Sequence, residues 1–410
     1  MSSPLPIVLF TGVQRMARRM REMGFESACL IEPGEEVSSP QEVDHWIPYD
    51  PADLQSLERW VSGWGLRHRV VAVINRREKR VHEHGHLASA LGLPGITPGQ
   101  AKVLRDKLLL REEIARSWPD LNPPFAVADL QSPFPPDVPS PFLVKPRNLF
   151  KSQLITLCQA ATDWDRARGE ISRLREPTER RHGVRLMGGF LAEEYVRGAE
   201  ASLDVMVCSD GEVVFTPAVT LLPARHWDMT DFHVAVRRIP STLLPHEEAL
   251  ARQAVLRLVS ALGLRSTPLH VDLVVAHGKV FILDVGSRVG GYRSEMMELG
   301  FGAPLDPLAL KLAMGGRPEW RPRWRNGVAV VELFPKRQGR LTGIKGLDGI
   351  KRLRSFHRLR QRTRPGEEVG WARFGYRCPL FVILAHQEPE VVTEEVELLP
   401  KLIDFQVEPL

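Results

Sequence analysis

Residues His270–Tyr292 read HVDLVVAHGKVFILDVGSRVGGY. Two short apolar runs, Val271–Val275 and Val280–Val285, are rich in β-branched residues and flank His277-Gly278, which predicts a β-hairpin. Each run carries one aspartate, Asp272 or Asp284, and the second leads straight into Arg288 and the Gly290-Gly291 pair. The turn length decides whether the two acids can cooperate. A two-residue turn would place them on opposite faces of the ribbon, because side chains alternate with period two. A three-residue connection with Gly278 in the left-handed position would shift the register by one. Both acids would then share a face as diagonal neighbours, about 7 Å apart. Such a pair suits Mg2+, which takes one or two carboxylates and completes its shell with water and phosphate oxygens. An edge hairpin with two solvated aspartates is the plain alternative.

Upstream, GFLAEEYVRGAEASLDVMV (residues 189–207) predicts two strands joined by a hinge at Gly198, with Glu193 and Glu200 on either side of it. A carboxylate accepts from an exocyclic amine or from ribose hydroxyls, and extended backbone between strands offers the donor and acceptor an adenine edge requires. A polar edge strand would look the same. Phe142–Lys145 predicts a strand ending at Pro146, with Lys145 at its exit, where a lysine can neutralise phosphate or simply reach water. Asp120–Pro141 is proline-rich and predicts a surface connector, while Asp163–Arg175, Glu247–Leu262 and Pro304–Met314 predict helices. The stretch LASALGLPGITPGQAKVLRDKLLLREEIARSW, from Leu87, predicts a helix ending near Gly92 and a turn at Pro94-Gly95. A second helix begins after Pro98 and carries Asp106, Lys107 and Arg111.

At the amino terminus, Ile7–Phe10, Ala28–Ile31 and Val70–Ile74 predict strands around a helix over Val13–Met23, a small open α/β domain. Gly12 stands alone without a GxGxxG, which argues against a dinucleotide site. His82–His86, HEHGH, matches the letters of the HExxH zinc motif, but Gly85 weakens the helix it needs and no third ligand is indicated. A structural role is expected for it.

The chain has 410 residues, 43% hydrophobic and 26% charged, which predicts a soluble protein of two or three domains. Four scattered cysteines without CxxC spacing predict neither a disulfide framework nor a cysteine zinc site, and a reducing compartment fits them. No signal-peptide pattern is evident, and no apolar run approaches the roughly 20 residues of a membrane span, so a cytoplasmic location is expected. Net charge is +5, yet Gly316–Arg364 holds fifteen Lys or Arg against three acids. Such a block is ordinarily solvated surface and could otherwise meet an acidic partner. Neither an RNA-stacking motif nor a DNA-reading helix accompanies it, so nucleic acid is not the expected partner.

The order LGLPG, RDK, FLVKP, EEYVRGAE, HVDLVV, ILDVGSRVGG resembles the ATP-grasp family, and within it the L-amino-acid ligases and related carboxylate-amine ligases. The resemblance covers residues 1 to 315 and continues more weakly through VELFPKRQGRLTGIKGL and TRPGEEV. It implies an α/β (α+β) chain with three parts. These are a Rossmann-like pre-ATP-grasp domain (1–97), the ATP-grasp lobes (98–315, lid lobe near 141–195) and a basic carboxy-terminal subdomain (316–410). It implies ATP and Mg2+ or Mn2+ as cofactors, a small carboxylate and an amine as substrates, no membrane, and room for a homodimer. By position, Lys107 and Lys145 match the lysines on the ATP phosphates and Glu193 the adenine-side acid. Tyr195 and Val196 would supply backbone contacts to the base, and Glu200 matches the ribose acid. Asp272 and Asp284 match the metal carboxylates, and Arg288 the arginine that steadies an acyl phosphate. Substrate contacts are expected from Val289–Arg293 and Arg225–His233, with Arg293 and His226 as candidates.

Two positions depart from that pattern. The phosphate lid, usually rich in Gly and Ser so that backbone NH groups can approach phosphate, reads PRNLFKSQ, and Arg147 and Lys151 are the candidates to replace backbone contacts. Gly286 stands where an asparagine usually completes the metal shell, and Ser287 or water is the expected substitute. A non-catalytic ATP-binding protein and a bicarbonate-using, carboxylase-type enzyme are the alternatives to the ligase.

Overall fold

The computed structural model describes residues 5–12, 17–35, 40–133 and 135–410, so the first four residues of the helix expected over Val13–Met23 lie outside it. Among the described residues, no helix is long and apolar enough to cross a membrane.

Ile7–Phe10, Glu26–Ile31, His45–Pro48 and Val70–Ile74 pair in parallel, in the spatial order third, second, first, fourth. Parallel neighbours need crossovers; helix Ala17–Glu22 lies between the first two strands in sequence and Leu54–Arg67 between the last two. His45–Pro48 escapes the sequence pattern because Ile47 alone of its four side chains is fully buried. Helix Val81–Ala90 does form across HEHGH. A Cβ on Gly85 would lie 2.9 Å from the Thr97 carbonyl oxygen, so the glycine lets this helix touch the start of the next one.

The second sheet is antiparallel, in the order Phe125–Ala128, Phe190–Glu194, Phe142–Pro146, Thr156–Cys158. Phe142, Val144, Phe190 and Ala192 close its core against Trp164, Ala167 and Ile171 of helix Trp164–His182. Its first strand lies inside the stretch expected to be a connector. As an edge strand with only Ala128 fully buried, it carries little apolar pattern.

The third sheet has nine antiparallel strands and runs through the junction expected between the ATP-grasp lobes and the carboxy-terminal subdomain, because Val234–Ile239 pairs with Gly327–Leu333. Gly327–Leu333 is buried on both faces. Val328 and Val330 face Met296 and Met297 of helix Arg293–Phe301, and Ala329, Val331 and Leu333 face Val392, Val396 and Leu399 of helix Pro389–Leu402. The basic block is therefore no single surface, since a core strand runs through it. At the other end of the sheet, Ala199–Val207, Thr267–Ala276 and Lys279–Gly286 lie side by side. Leu203, Val205, Leu269, Val271, Leu273, Val280, Ile282 and Val285 pack against helix Pro245–Ala261. Period-two alternation then leaves Glu200, Ser202, Asp204, His270 and Asp272 on the opposite face. A small sheet of Glu368–Val369, Gly339–Lys345 and Asp404–Glu408 completes the carboxy-terminal part.

Candidate functional site

The hairpin turn has two residues, with Ala276 opposite Lys279, His277 at φ 51 and Gly278 at φ 71. On the sequence argument that turn should part the aspartates. The structure brings them together by another device: Asp272 pairs with Asp284 while Leu273 pairs with Ile282, so Leu283 is an extra residue in the ladder. Ile282 and Val285 both face the core across this bulge, three positions apart, and Asp284 is thereby turned to the same face as Asp272. Of the two turn lengths the sequence left open the shorter one forms, a bulge does what the three-residue connection would have done, and the diagonal pair becomes a directly opposed one. Arg111 holds the bulge in place by donating from Nη2 to the Leu283 carbonyl at 2.9 Å.

Arg111 arrives there because the helix expected after Pro98 is two helices. Thr97 and Gln100 form a reciprocal cap on Pro98–Arg105, Asp106 breaks the run with φ −121, and Lys107–Ser117 starts anew with Asp106 accepting from Leu108 N at 3.0 Å. Lys107 and Arg111, four apart, share one helix face. Lys107 Nζ lies 3.2 Å from Asp284 Oδ1 and donates to Leu149 O at 2.9 Å, which places it between the paired acids and the lid. Arg111 Nε donates to Glu193 Oε1 at 2.5 Å, and Lys145 pairs with the other Glu193 oxygen. Glu193 is 1% exposed. Burial alone would raise its carboxyl, yet Arg111 and Lys145 together hold it at about 2.

Asp272 stands opposite Ser202 on one side and Asp284 on the other. Its Oδ1 is buried and receives no hydrogen bond, although His270 Nε2 is 3.2 Å away. His270 Nδ1 in turn lies 3.0 Å from Asp204 Oδ2. Burial opposes protonation of His270, but Asp204 and then Asp272 push its pKa up to about 9. Glu200 shows the reverse: burial and the neighbouring charge of Asp272 push it up to about 7. Across the hinge, Tyr195 N is spent on Pro141 O at 2.8 Å and Val196 N on Glu194 O at 3.1 Å. The Arg225 guanidinium lies over the Tyr195 ring.

The substrate candidates fare differently. Arg293 is 1% exposed and donates to Ser202 Oγ at 2.6 Å, so it is buried on the face of the acids with its donors on Ser202 and beside Asp204. His226 bonds Glu397 of helix Pro389–Leu402 at 2.8 Å and is turned away from the hairpin. Ser287 is buried beside Val73, Asn75 and His84 in a cavity of about 20 Å3. It follows Gly286 on the strand, so alternation points it away from the acids, and it does not take the asparagine's place. In the lid, Arg147 binds Asp106 (Nε–Oδ1, 2.9 Å) and Gly188 O, while Lys151 is exposed. Ser152 Oγ donates to Phe232 O at 3.0 Å, and Leu154 N to Arg373 O at 2.8 Å. Two of the HEHGH side chains have structural partners: His86 on Glu58, and Glu83 on Tyr49 and Arg80.

Sequence reasoning assigned no role to Arg111, Asp204 or His270. The four-residue spacing from Lys107 and the two-residue spacing from Asp272 were the available signals. Among the described residues no three His, Cys, Asp or Glu converge as a metal nest. Two opposed carboxylates, one with an oxygen lacking a hydrogen bond, still suit a hard cation whose remaining ligands come from phosphate and water.

The site thus joins paired acids on one sheet, Lys107 of a helix on Asp284, and the loop that follows the second sheet's strand Phe142–Pro146. Residues 138–296 match the family described as the ATP-grasp domain. The whole chain is similar in fold to an L-amino acid ligase from Bacillus licheniformis, with TM-score 0.78, 17% identity and 100% of both chains covered. It is similar as well to an N5-carboxyaminoimidazole ribonucleotide synthetase from Thermotoga maritima, with TM-score 0.69 and 16% identity over 99% of this chain and 100% of that one. A third likeness is to the biotin carboxylase domain of a Hydrogenobacter thermophilus 2-oxoglutarate carboxylase, in complex with MgADP, ADP and bicarbonate. Its TM-score is 0.63 and its identity 13%, over 99% of this chain and 91% of that one. At these identities the likeness establishes the ATP-grasp fold. No curated protein matches the sequence.

Proposed function

We propose that this protein is an ATP-dependent carboxylate-amine ligase that works through an acyl phosphate, with an amino acid as the acid substrate. The observation that carries the proposal is the bulged hairpin: the extra residue Leu283 exists to face Asp284 toward Asp272, with Lys107 already on Asp284. A bulge that sets two acids side by side is costly unless something positive lies between them. Mg2+ bound by Asp272 and Asp284 would neutralise charge on the transferring phosphoryl group. Lys107 is placed to draw phosphate oxygens toward the lid. Lys145 and Arg111 fix Glu193 as a carboxylate at the wall of the hinge, where it can accept from an adenine amine only by sharing oxygens already bonded. Val196, whose N–H is already taken by Glu194 O, is proposed for the base through its carbonyl and Glu200 for the ribose, the acid form of Glu200 being able to donate to a hydroxyl. Tyr195 is left with its carbonyl, since its N–H is taken. Arg288, with a planar fork, is proposed to hold the acyl phosphate and then the oxyanion formed when the amine attacks.

The test is hydroxylamine trapping. Protein, Mg2+ and ATP are incubated with a panel of amino acids, small carboxylic acids and bicarbonate, and hydroxamate and ADP are read by mass spectrometry. A hydroxamate that is lost at least a hundredfold in Asp284→Asn is the expected result. ADP release with bicarbonate and no hydroxamate would favour the carboxylase alternative. Tight ATP binding without ADP from any acid would leave a non-catalytic binder.

A further inference from the structure

Gly286 lies two residues beyond Asp284, directly opposite His270, on the face that carries the acids. A Cβ there would sit 3.0 Å from Glu78 Oε2 and within 3.8 Å of the Arg288 guanidinium carbon. The space left by a missing side chain is therefore filled from another domain. Glu78 opens the short helix after the strand Val70–Ile74 of the amino-terminal sheet, and its Oε2 accepts from Arg288 Nε at 2.9 Å. Both side chains are mostly buried, 13% and 19% exposed. Arg288 Nη1 donates to Val289 O at 3.2 Å, so Nε and Nη1 are engaged and, among the described residues, Nη2 has no partner. Arg105 Nη1, 4.0 Å from Glu78 Oε1, braces the carboxylate from the other side. The amino-terminal domain is held to this spot by Arg76 on Asp306 at 2.9 Å and by Leu310 and Ala313 packed among Val8, Phe10 and Ile74.

We propose that Glu78 is the positioning residue for Arg288: the amino-terminal domain reaches through the gap at Gly286 and sets the direction in which the arginine presents its free donors. A long side chain with several rotamers would otherwise lose entropy on each engagement with the terminal phosphate. A carboxylate that fixes Nε removes that loss while leaving Nη2 available. The inference rests on the ligase reading for what Arg288 acts upon, and it accounts for why a glycine is tolerated where a side chain would collide with the carboxylate.

The test reads binding as well as turnover. Dissociation constants for Mg2+-ADP and for the non-hydrolysable β,γ-imido analogue of ATP are measured by calorimetry on wild type, Glu78→Gln, Arg288→Gln and the double variant. Melting temperatures and hydroxamate rates are measured in parallel. The preference for the triphosphate analogue is expected to fall about tenfold in each single variant and no further in the double, because both substitutions remove one shared contact. ADP affinity and melting temperature stay near wild type, and kcat falls while KM for ATP changes little. The proposal is overturned if Arg288→Gln lowers the preference and Glu78→Gln does not, or if Arg288→Gln leaves it unchanged. It is equally overturned if Glu78→Gln weakens ADP and the analogue alike with a lowered melting temperature, the mark of a purely structural contact. Absence of hydroxamate and ADP from wild type would defeat the ligase reading alone, since the binding preference is read without turnover.

Discussion

Glu193, Arg111 and Lys145 form one buried unit with a net positive charge, and each depends on the others. Removing one partner strands the rest: Glu193→Gln is expected to destabilise the fold by about 3–5 kcal/mol in chemical denaturation. The acid dependence follows from the same geometry. Folding depresses the Glu193 pKa from 4.5 to about 2, so its contribution is present above 4.5 and is lost as pH falls from about 4.5 to about 2. Glu200 has the opposite sign. Its pKa rises from 4.5 to about 7, so the fold binds the extra proton and stability declines as pH climbs through that window. Denaturation midpoints followed across pH in Glu193→Gln and Glu200→Gln should flatten the acid limb and the neutral limb respectively. A wild-type midpoint insensitive to pH in both windows would contradict both assignments.

At the scale of an element, the hairpin shows what could be read and what could not. Valines and isoleucines around His277-Gly278 announced two strands and a turn, and each strand's aspartate was visible. The face of Asp284 was hidden, because a bulge depends on a donor from elsewhere, here Arg111, and leaves no mark in the local alternation. Deleting Leu283 should restore a regular ladder in which Asp284 follows Ile282 and still opposes Asp272. The variant is expected to keep Mg2+-dependent strengthening of nucleotide binding, and its loss in calorimetry with and without the ion would contradict the pairing. The site face of Ala199–Val207 was legible in principle from alternation, since Glu200, Ser202 and Asp204 recur every second residue. Glu78 was not, because nothing in its neighbourhood refers to a hairpin far along the chain.

Across the whole molecule, the order of motifs foretold the ATP-grasp fold, while the sheet's continuity into the carboxy-terminal part depended on long-range pairing that local pattern does not encode. The lid joins these parts. Its base is fixed by Lys107 N on Arg147 O at 2.9 Å, and its far end by Leu154 N on Arg373 O. Arg373 N is itself held by Asp231 Oδ2 at 3.1 Å, and Arg181 of the lid-lobe helix donates to Phe374 O at 2.8 Å. Asp231→Ala is therefore expected to speed proteolytic cleavage within residues 147–155 in the absence of nucleotide, with Mg2+-ATP restoring protection. Unchanged cleavage would show that the anchor does not restrain the loop.

A loop tied down at both ends has no free tip to lift. Breaking the bond from Leu154 N to Arg373 O would free one end of this loop, so on the proposed ligase reading a looser stretch around Arg373 is expected to shorten the residence of ADP. On that reading the carboxy-terminal part would act as a clock on the site, because its grip on Leu154 would govern how often the site resets.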